Sequence, residues 1–196
     1  MSVLLIAGSP SENSRSAALL DHVQARLKLS GVDVNRLHIR DLSPQALILA
    51  NFSHPSITHA SALVAQASAI VVSTPVYKAA YSGVLKVFLD LLPQTALKEK
   101  TVLPLATGGS PNHMLALDYA LRPVLQSLGA AHILPGVYAT DAQVVLLPEE
   151  GYRIQPDIAA RLDEGVERLI AEALDHAPSV AGRFPPVPFS QVRCSV

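Results

Sequence analysis

Nine residues near the N-terminus, Gly8-Ser9-Pro10-Ser11-Glu12-Asn13-Ser14-Arg15-Ser16, gather hydroxyls and an arginine between a short apolar run and a helix-like pattern. Backbone N–H groups at a helix start, hydroxyl donors and a guanidinium fork together suit the phosphate monoester of a small ligand. Ser9, Ser14, Arg15 and Ser16 are the candidate contacts. Ser14 or Ser16 also suits the N-cap of the following helix. Capping leaves Arg15 unexplained, because a cation at a helix N-terminus opposes the dipole unless an anion is present. Neither G-x-G-x-x-G nor a loop ending in G-K-[ST] occurs here, so the dinucleotide and nucleoside-triphosphate fingerprints are absent.

Two further loops suit a flat ligand. In Thr74-Pro75-Val76-Tyr77-Lys78-Ala79-Ala80-Tyr81-Ser82-Gly83, Pro75 stiffens the turn and Tyr77 offers a ring for stacking. Backbone groups from Val76 to Lys78 suit the edge of a heteroaromatic ring, and Ser82-Gly83 opens a helix with Ser82 as its N-cap. Thr107-Gly108-Gly109-Ser110 allows close backbone approach to such a ring. The histidines, His22, His38, His54, His59, His113, His132 and His176, show neither metal spacing nor a paired nucleophile. Only His113, just after the glycine pair, stands near the expected ligand. Asp90 and Asp118 have no carboxylate partner, so no acid–base role is assigned.

The elements that must position these loops follow from hydrophobic patterning. Val3 to Ala7, Ala69 to Ser73 and Lys100 to Ala106 are apolar runs without alternation, as expected of parallel strands covered on both faces. Val32 to Ile39 alternates and reads as an edge strand, and His132 to Tyr138 supplies a fifth strand. Helical periodicity marks Ser16 to Leu29, Ser56 to Ala67, Gly83 to Leu92, Met114 to Leu128 and Pro156 to His176. Pro123 interrupts the fourth of these helices, predicting a kink or π-bulge near Tyr119. Asp41 to Phe52 and Asp141 to Pro156 read as loops. The pattern predicts an α/β fold: a doubly wound five-stranded parallel sheet, order 2-1-3-4-5, with helices on both faces. Residues 1–176 form one domain, followed by a Pro-rich tail, 177–196, expected to be extended or disordered. In this topology all three loops meet at the crevice where the strand order reverses.

Composition narrows the class. Of 196 residues, 49% are hydrophobic and 16% charged, which predicts a large core and leaves room for an apolar subunit interface. Fifteen basic against sixteen acidic residues argue against nucleic acid or an anionic membrane as the partner. A single cysteine, Cys194, builds no disulfide framework. With no signal-peptide pattern and no apolar run long enough to span a bilayer, the expected location is cytoplasmic.

Ala7-Gly8-Ser9-Pro10 with Ser14-Arg15-Ser16, the Thr74 to Lys86 stretch, and Leu105-Ala106-Thr107-Gly108-Gly109-Ser110 resemble the NAD(P)H-dependent FMN reductases of the flavodoxin-like superfamily. Within that family, Asp118 to Leu125 is most similar to the reductase component of bacterial alkanesulfonate monooxygenase systems. The resemblance covers residue 2 to about 175. It implies that Ser9, Ser14, Arg15 and Ser16 hold the FMN phosphate. Pro75, Val76, Tyr77, Lys78, Ser82 and Gly83 would line the ribityl chain and isoalloxazine edge, and Thr107, Gly108, Gly109 and Ser110 the pyrimidine side. Hydride would pass directly from NADPH, or from NADH, to the flavin with no catalytic side chain. Flavin is then as much substrate as cofactor, delivered as FMNH2 to a two-component monooxygenase in sulfur assimilation. Tyr119 would belong to a homotetramer interface and affect flavin release, although a homodimer stays open.

Other readings of the same loops are a reductase of quinones, azo dyes or metal oxyanions with bound FMN, a flavodoxin-like electron carrier, and a non-enzymatic sensor of a phosphorylated ligand. Near-neutral charge speaks against a carrier that docks through an acidic surface. The Tyr77 loop, suited to a planar ring, speaks against the sensor.

Overall fold

The computed structural model describes residues 2–147 and 151–175, and the expected tail at 177–196 lies outside them. Its central sheet follows the predicted winding. β1 (Ser2–Ala7) runs parallel to β2 (Asp33–His38) on one side and β3 (Ala69–Tyr77) on the other. β3 continues past the parallel ladder into a short antiparallel hairpin with β4 (Ala80–Tyr81). β5 (Thr101–Gly108) then pairs with β3, and β6 (His132–Ile133) and β7 (Val137–Thr140) both pair with β5. The order is therefore 2-1-3-4-5 in positions, with the fifth position shared by two short strands.

Pro104 accounts for that division. It lies in a central strand, opposite Val72, and has no N–H for the neighbour on its other side. The chain bulges there between Ile133 and Val137. Arg122 compensates by donating to the carbonyls of Ile133 (3.0 Å) and Leu134 (3.3 Å).

Strand residues alternate between two apolar clusters. Leu4, Ile6, Ile70, Val72 and Val102 pack with α3 (Pro55–Gln66) and α4 (Gly83–Asp90), while Val3, Leu5, Val71, Leu103 and Leu105 pack with α1 (Arg15–Leu29) and α6 (Pro156–Asp175). Buried faces on both sides explain why these strands show no alternation in sequence.

Three segments differ from the sequence expectation. The stretch expected to be a loop after Asp41 contains a one-turn helix, α2 (Pro44–Ile48), started by Pro44 and capped by Ser43. The segment 141–156 holds an antiparallel hairpin of β8 (Val144–Leu147) and β9 (Gly151–Ile154), with Val144 buried under it. The predicted helix at 114–128 is a 3₁₀ turn (Pro111–Leu115), a π-helical segment (Ala116–Leu121) and α5 (Arg122–Ser127). Here the physical expectation holds: Pro123 removes a donor at the start of α5, and the widened turn precedes it. Among the described residues, no helix is long and apolar enough to cross a membrane.

Candidate functional site

Beyond the C-terminal ends of β1, β3 and β5 lies a cleft of about 260 Å³. The first loop lines it with Ser9, Ser11, Asn13, Ser14 and Arg15, the second with Pro75, Val76 and Tyr77, and the third with Thr107, Gly108 and Gly109. Asp141 and Tyr152 complete the wall. Ser11 and Asn13 lie within the recognised loop but carried no separate signal. Asp141 and Tyr152 come from the segment read as irregular; the pairing of β7 with β5 brings Asp141 to the cleft, and the β8–β9 hairpin brings Tyr152.

Gly8 starts the first loop, its N–H donating to the Ser73 carbonyl at 2.8 Å. A Cβ on Gly8 would stand 3.0 Å from both Ser73 O and Leu85 Cδ2, so close passage between β3 and α4 requires glycine. Ser9 Oγ accepts from Ser11 N–H and folds the loop back on itself. Ser14 is the N-cap of α1, accepting from Ala17 N–H, and also lines the cleft. Helix geometry leaves the N–H groups of Arg15 and Ser16 without intrahelical acceptors. No acidic residue occupies the first turn of α1, so its positive end is uncompensated there.

Arg15 Nε donates to the Val144 carbonyl at 2.9 Å and lies 3.6 Å from Asp141 Oδ1. Arg15 lines the cleft, and among the described residues no hydrogen bond engages its two Nη groups. Ser16 does not line the cleft. It is 1% exposed, its Oγ bonds Ser14 Oγ at 2.7 Å, and its carbonyl accepts from Ser73 Oγ at 2.8 Å. Its place is beneath the loop, tying α1 to β3.

In the second loop, Lys78 and Ala79 both have positive φ, 50° and 66°, as a two-residue mirror-image turn between β3 and β4 demands. Neither is glycine, so each residue costs about 1 kcal/mol. The turn projects Tyr77, 49% exposed, onto the cleft and leaves Lys78 exposed outside it. Thr74 Oγ1 braces the base, donating to Pro75 O and accepting from Ser82 N–H.

Ser82 is buried and also lies outside the cleft lining. It caps α4 by accepting from Leu85 N–H, and its hydroxyl donates to the Gly8 carbonyl, which joins the second loop to the first. Gly83, exposed behind it, meets nothing with an added Cβ. Ser82→Ala removes the cap and leaves the Gly8 carbonyl without its donor. Unfolding free energy falls by about 2 kcal/mol, readable as a shifted urea midpoint at constant slope.

In the third loop, Ser110 caps the 3₁₀ turn by accepting from Asn112 N–H. Tyr138, a residue to which sequence reasoning gave no role beyond its strand, donates its hydroxyl to the Ser110 carbonyl at 2.6 Å. Burial, helped by the negative charge of Asp141, holds this phenol above its ordinary value. His113 is half-buried in the 3₁₀ turn and is not among the cleft-lining residues. Among the described residues, no cluster of metal-ligating side chains occurs.

A doubly wound parallel sheet, with an anion-suited helix N-terminus and a tyrosine hairpin facing each other at its switch point, defines a flavodoxin-like mononucleotide-binding protein. The model of the family described as NADPH-dependent FMN reductase matches residues 1–144. The chain belongs to that family and is an oxidoreductase using FMN and NADPH. It is 52% identical over 175 residues to an FMN reductase (NADPH) from Pseudomonas putida, covering 89% of this chain and 85% of that one. It is 48% identical over 171 residues to an FMN reductase (NADPH) from Escherichia coli, covering 85% and 87%. Among solved structures, the apo form of an NADH:FMN oxidoreductase (EMOB) superposes with a TM-score of 0.79 at 36% identity, covering 97% of this chain and 99% of that one.

Proposed function

We propose that this chain is an NADPH:FMN oxidoreductase of the cytoplasm that releases reduced flavin to a two-component, FMNH2-dependent monooxygenase, in alkanesulfonate assimilation. The observation that carries this reading is the cleft itself, whose lining joins Arg15 and the hydroxyl loop to Tyr77 and the Gly108–Gly109 backbone. The donor set fits FMN. Arg15 Nη groups, Ser9, Ser14 and the first N–H groups of α1 hold the phosphate. Pro75, Val76 and Tyr77 cover one edge of the ring system, and the glycine pair lets the opposite wall approach without side-chain bulk. Ser16, Ser82 and Ser110 act from behind, by fixing the loops that carry these groups, while Lys78 and Gly83 form the turn and the helix start that flank them. Bound flavin supplies the hydride-accepting ring, so the chain needs no side chain as acid or base. The names of the two curated relatives favour NADPH over NADH.

Assembly belongs to the same proposal. Tyr119 is 78% exposed on the π-helical segment, near exposed Met114 and Leu115, and that segment packs against β4, the strand paired with Val76 and Tyr77 of the cleft wall. A homotetramer, or a dimer, that covers this patch couples subunit contact to flavin exit. Tyr119→Ala is expected to sediment as a smaller species and to release flavin at an altered rate. Unchanged assembly together with unchanged flavin turnover would remove Tyr119 from this role.

The function is tested by anaerobic oxidation of NADPH and of NADH with FMN, FAD or riboflavin in excess. Nucleotide oxidation that scales with added FMN is the expected result. Oxidation independent of added flavin, or sustained only by a quinone, overturns the flavin-as-substrate reading.

A further inference from the structure

Asp141 is the one carboxylate among the described cleft-lining residues, and the proposed function gives it no task. It stands 3.6 Å from Arg15 Nε, at the phosphate end of the cleft, with 49% of its side chain exposed. It does not orient Arg15, because Val144 O already accepts from Nε at 2.9 Å, while 3.6 Å exceeds a hydrogen bond. Nor does its carboxylate hold its own loop, whose backbone is fixed by the Asp141 N–H donating to the Gly108 carbonyl at 3.2 Å. What the side chain adds is therefore negative charge, placed beside the cation and the helix end that suit an anion. It answers within the chain part of the demand for an anion that Arg15 makes at a helix N-terminus.

We infer that Asp141 is an internal competitor of the flavin phosphate: it shares Arg15, repels the incoming dianion and so keeps the grip on FMN loose. The inference rests on the reading of the first loop as a phosphate site. Loose binding is what an enzyme needs when its flavin must leave as product. A half-exposed carboxylate facing a dianion through water-screened space is expected to weaken binding about fivefold.

Asp141→Asn keeps the shape and the backbone N–H while removing the charge. Dissociation constants for FMN and riboflavin are measured by flavin fluorescence at fixed ionic strength, without nicotinamide nucleotide, for the wild type, Asp141→Asn and Arg15→Ala. Stopped-flow dissociation gives the matching off-rates. Asp141→Asn is expected to bind FMN about fivefold more tightly, mostly through slower dissociation, with riboflavin unchanged. FMN binding that is unchanged or weaker in Asp141→Asn, or riboflavin binding tightened equally, overturns the role of Asp141. A wild type that binds FMN no better than riboflavin overturns instead the phosphate reading on which it rests.

Discussion

Gly108→Ala is expected to lower the unfolding free energy by about 3 kcal/mol, and the thermal midpoint by about 6–12 °C. FMN affinity falls about tenfold or more with it. The cause is a lack of room behind the cleft wall rather than in the cleft. A Cβ on Gly108 would come within 2.6 Å of Tyr138 Oη and 3.3 Å of Val76 Cβ. Tyr138 is 7% exposed, so its ring has nowhere to retreat, and its hydroxyl is committed to the Ser110 carbonyl. The methyl must therefore break that bond or push β5 away from Val76, and both choices move backbone that lines the cleft. A double-mutant cycle checks the mechanism. Tyr138→Phe alone costs about 1 kcal/mol through the lost hydrogen bond. In its background Gly108→Ala is expected to cost clearly less, because the next ring atom, Cζ, lies at 3.5 Å and only the Val76 Cβ contact at 3.3 Å stays tight. Additive losses in urea denaturation would show that the hydroxyl is not what excludes the methyl.

Arg15→Ala is expected to raise the dissociation constant for FMN about 10- to 100-fold while leaving riboflavin within about twofold. A charge-assisted bidentate contact is worth about 1.5–3 kcal/mol, and only a ligand carrying the phosphate loses it. The fork is aimed by a single bond to Val144 O, so a lysine at this position lacks both the second donor and the Nε anchor and recovers little of the loss. Stability changes by about 1 kcal/mol at most, because Arg15 is partly exposed and links α1 to β8 through that bond alone. FMN and riboflavin binding measured side by side separates this outcome from general damage, in which both would weaken.

Much of the winding was legible because it depends on local pattern. Unalternating runs such as Val3 to Ala7 report burial on both faces, and periodic segments between them report crossover helices. The three loops were legible for the same reason: each follows directly on a recognisable strand. Asp141, Tyr152 and Tyr138 were not. Asp141 sits in a segment whose only regular structure is a pair of four-residue strands, too short for a pattern to distinguish from a loop. Tyr138 looks like any strand residue until β7 is set beside β5, where its hydroxyl meets Ser110.

Sequence alone thus determined the fold class, the common end of the sheet where the cleft opens, and the gathering of hydroxyls and an arginine in the first loop, since these follow from which residues are adjacent along the chain. Only the tertiary structure decided which serines face the cleft and which hold it together from behind. Ser9 and Ser14 line the cleft, while Ser16 and Ser82 are turned into the packing between β1, β3, α1 and α4. The tertiary structure also decided that a carboxylate 126 positions from Arg15 shares its charge. Both depend on contacts between segments distant in sequence, and the directions of hydroxyls and charges across such contacts leave no period or motif in the chain itself.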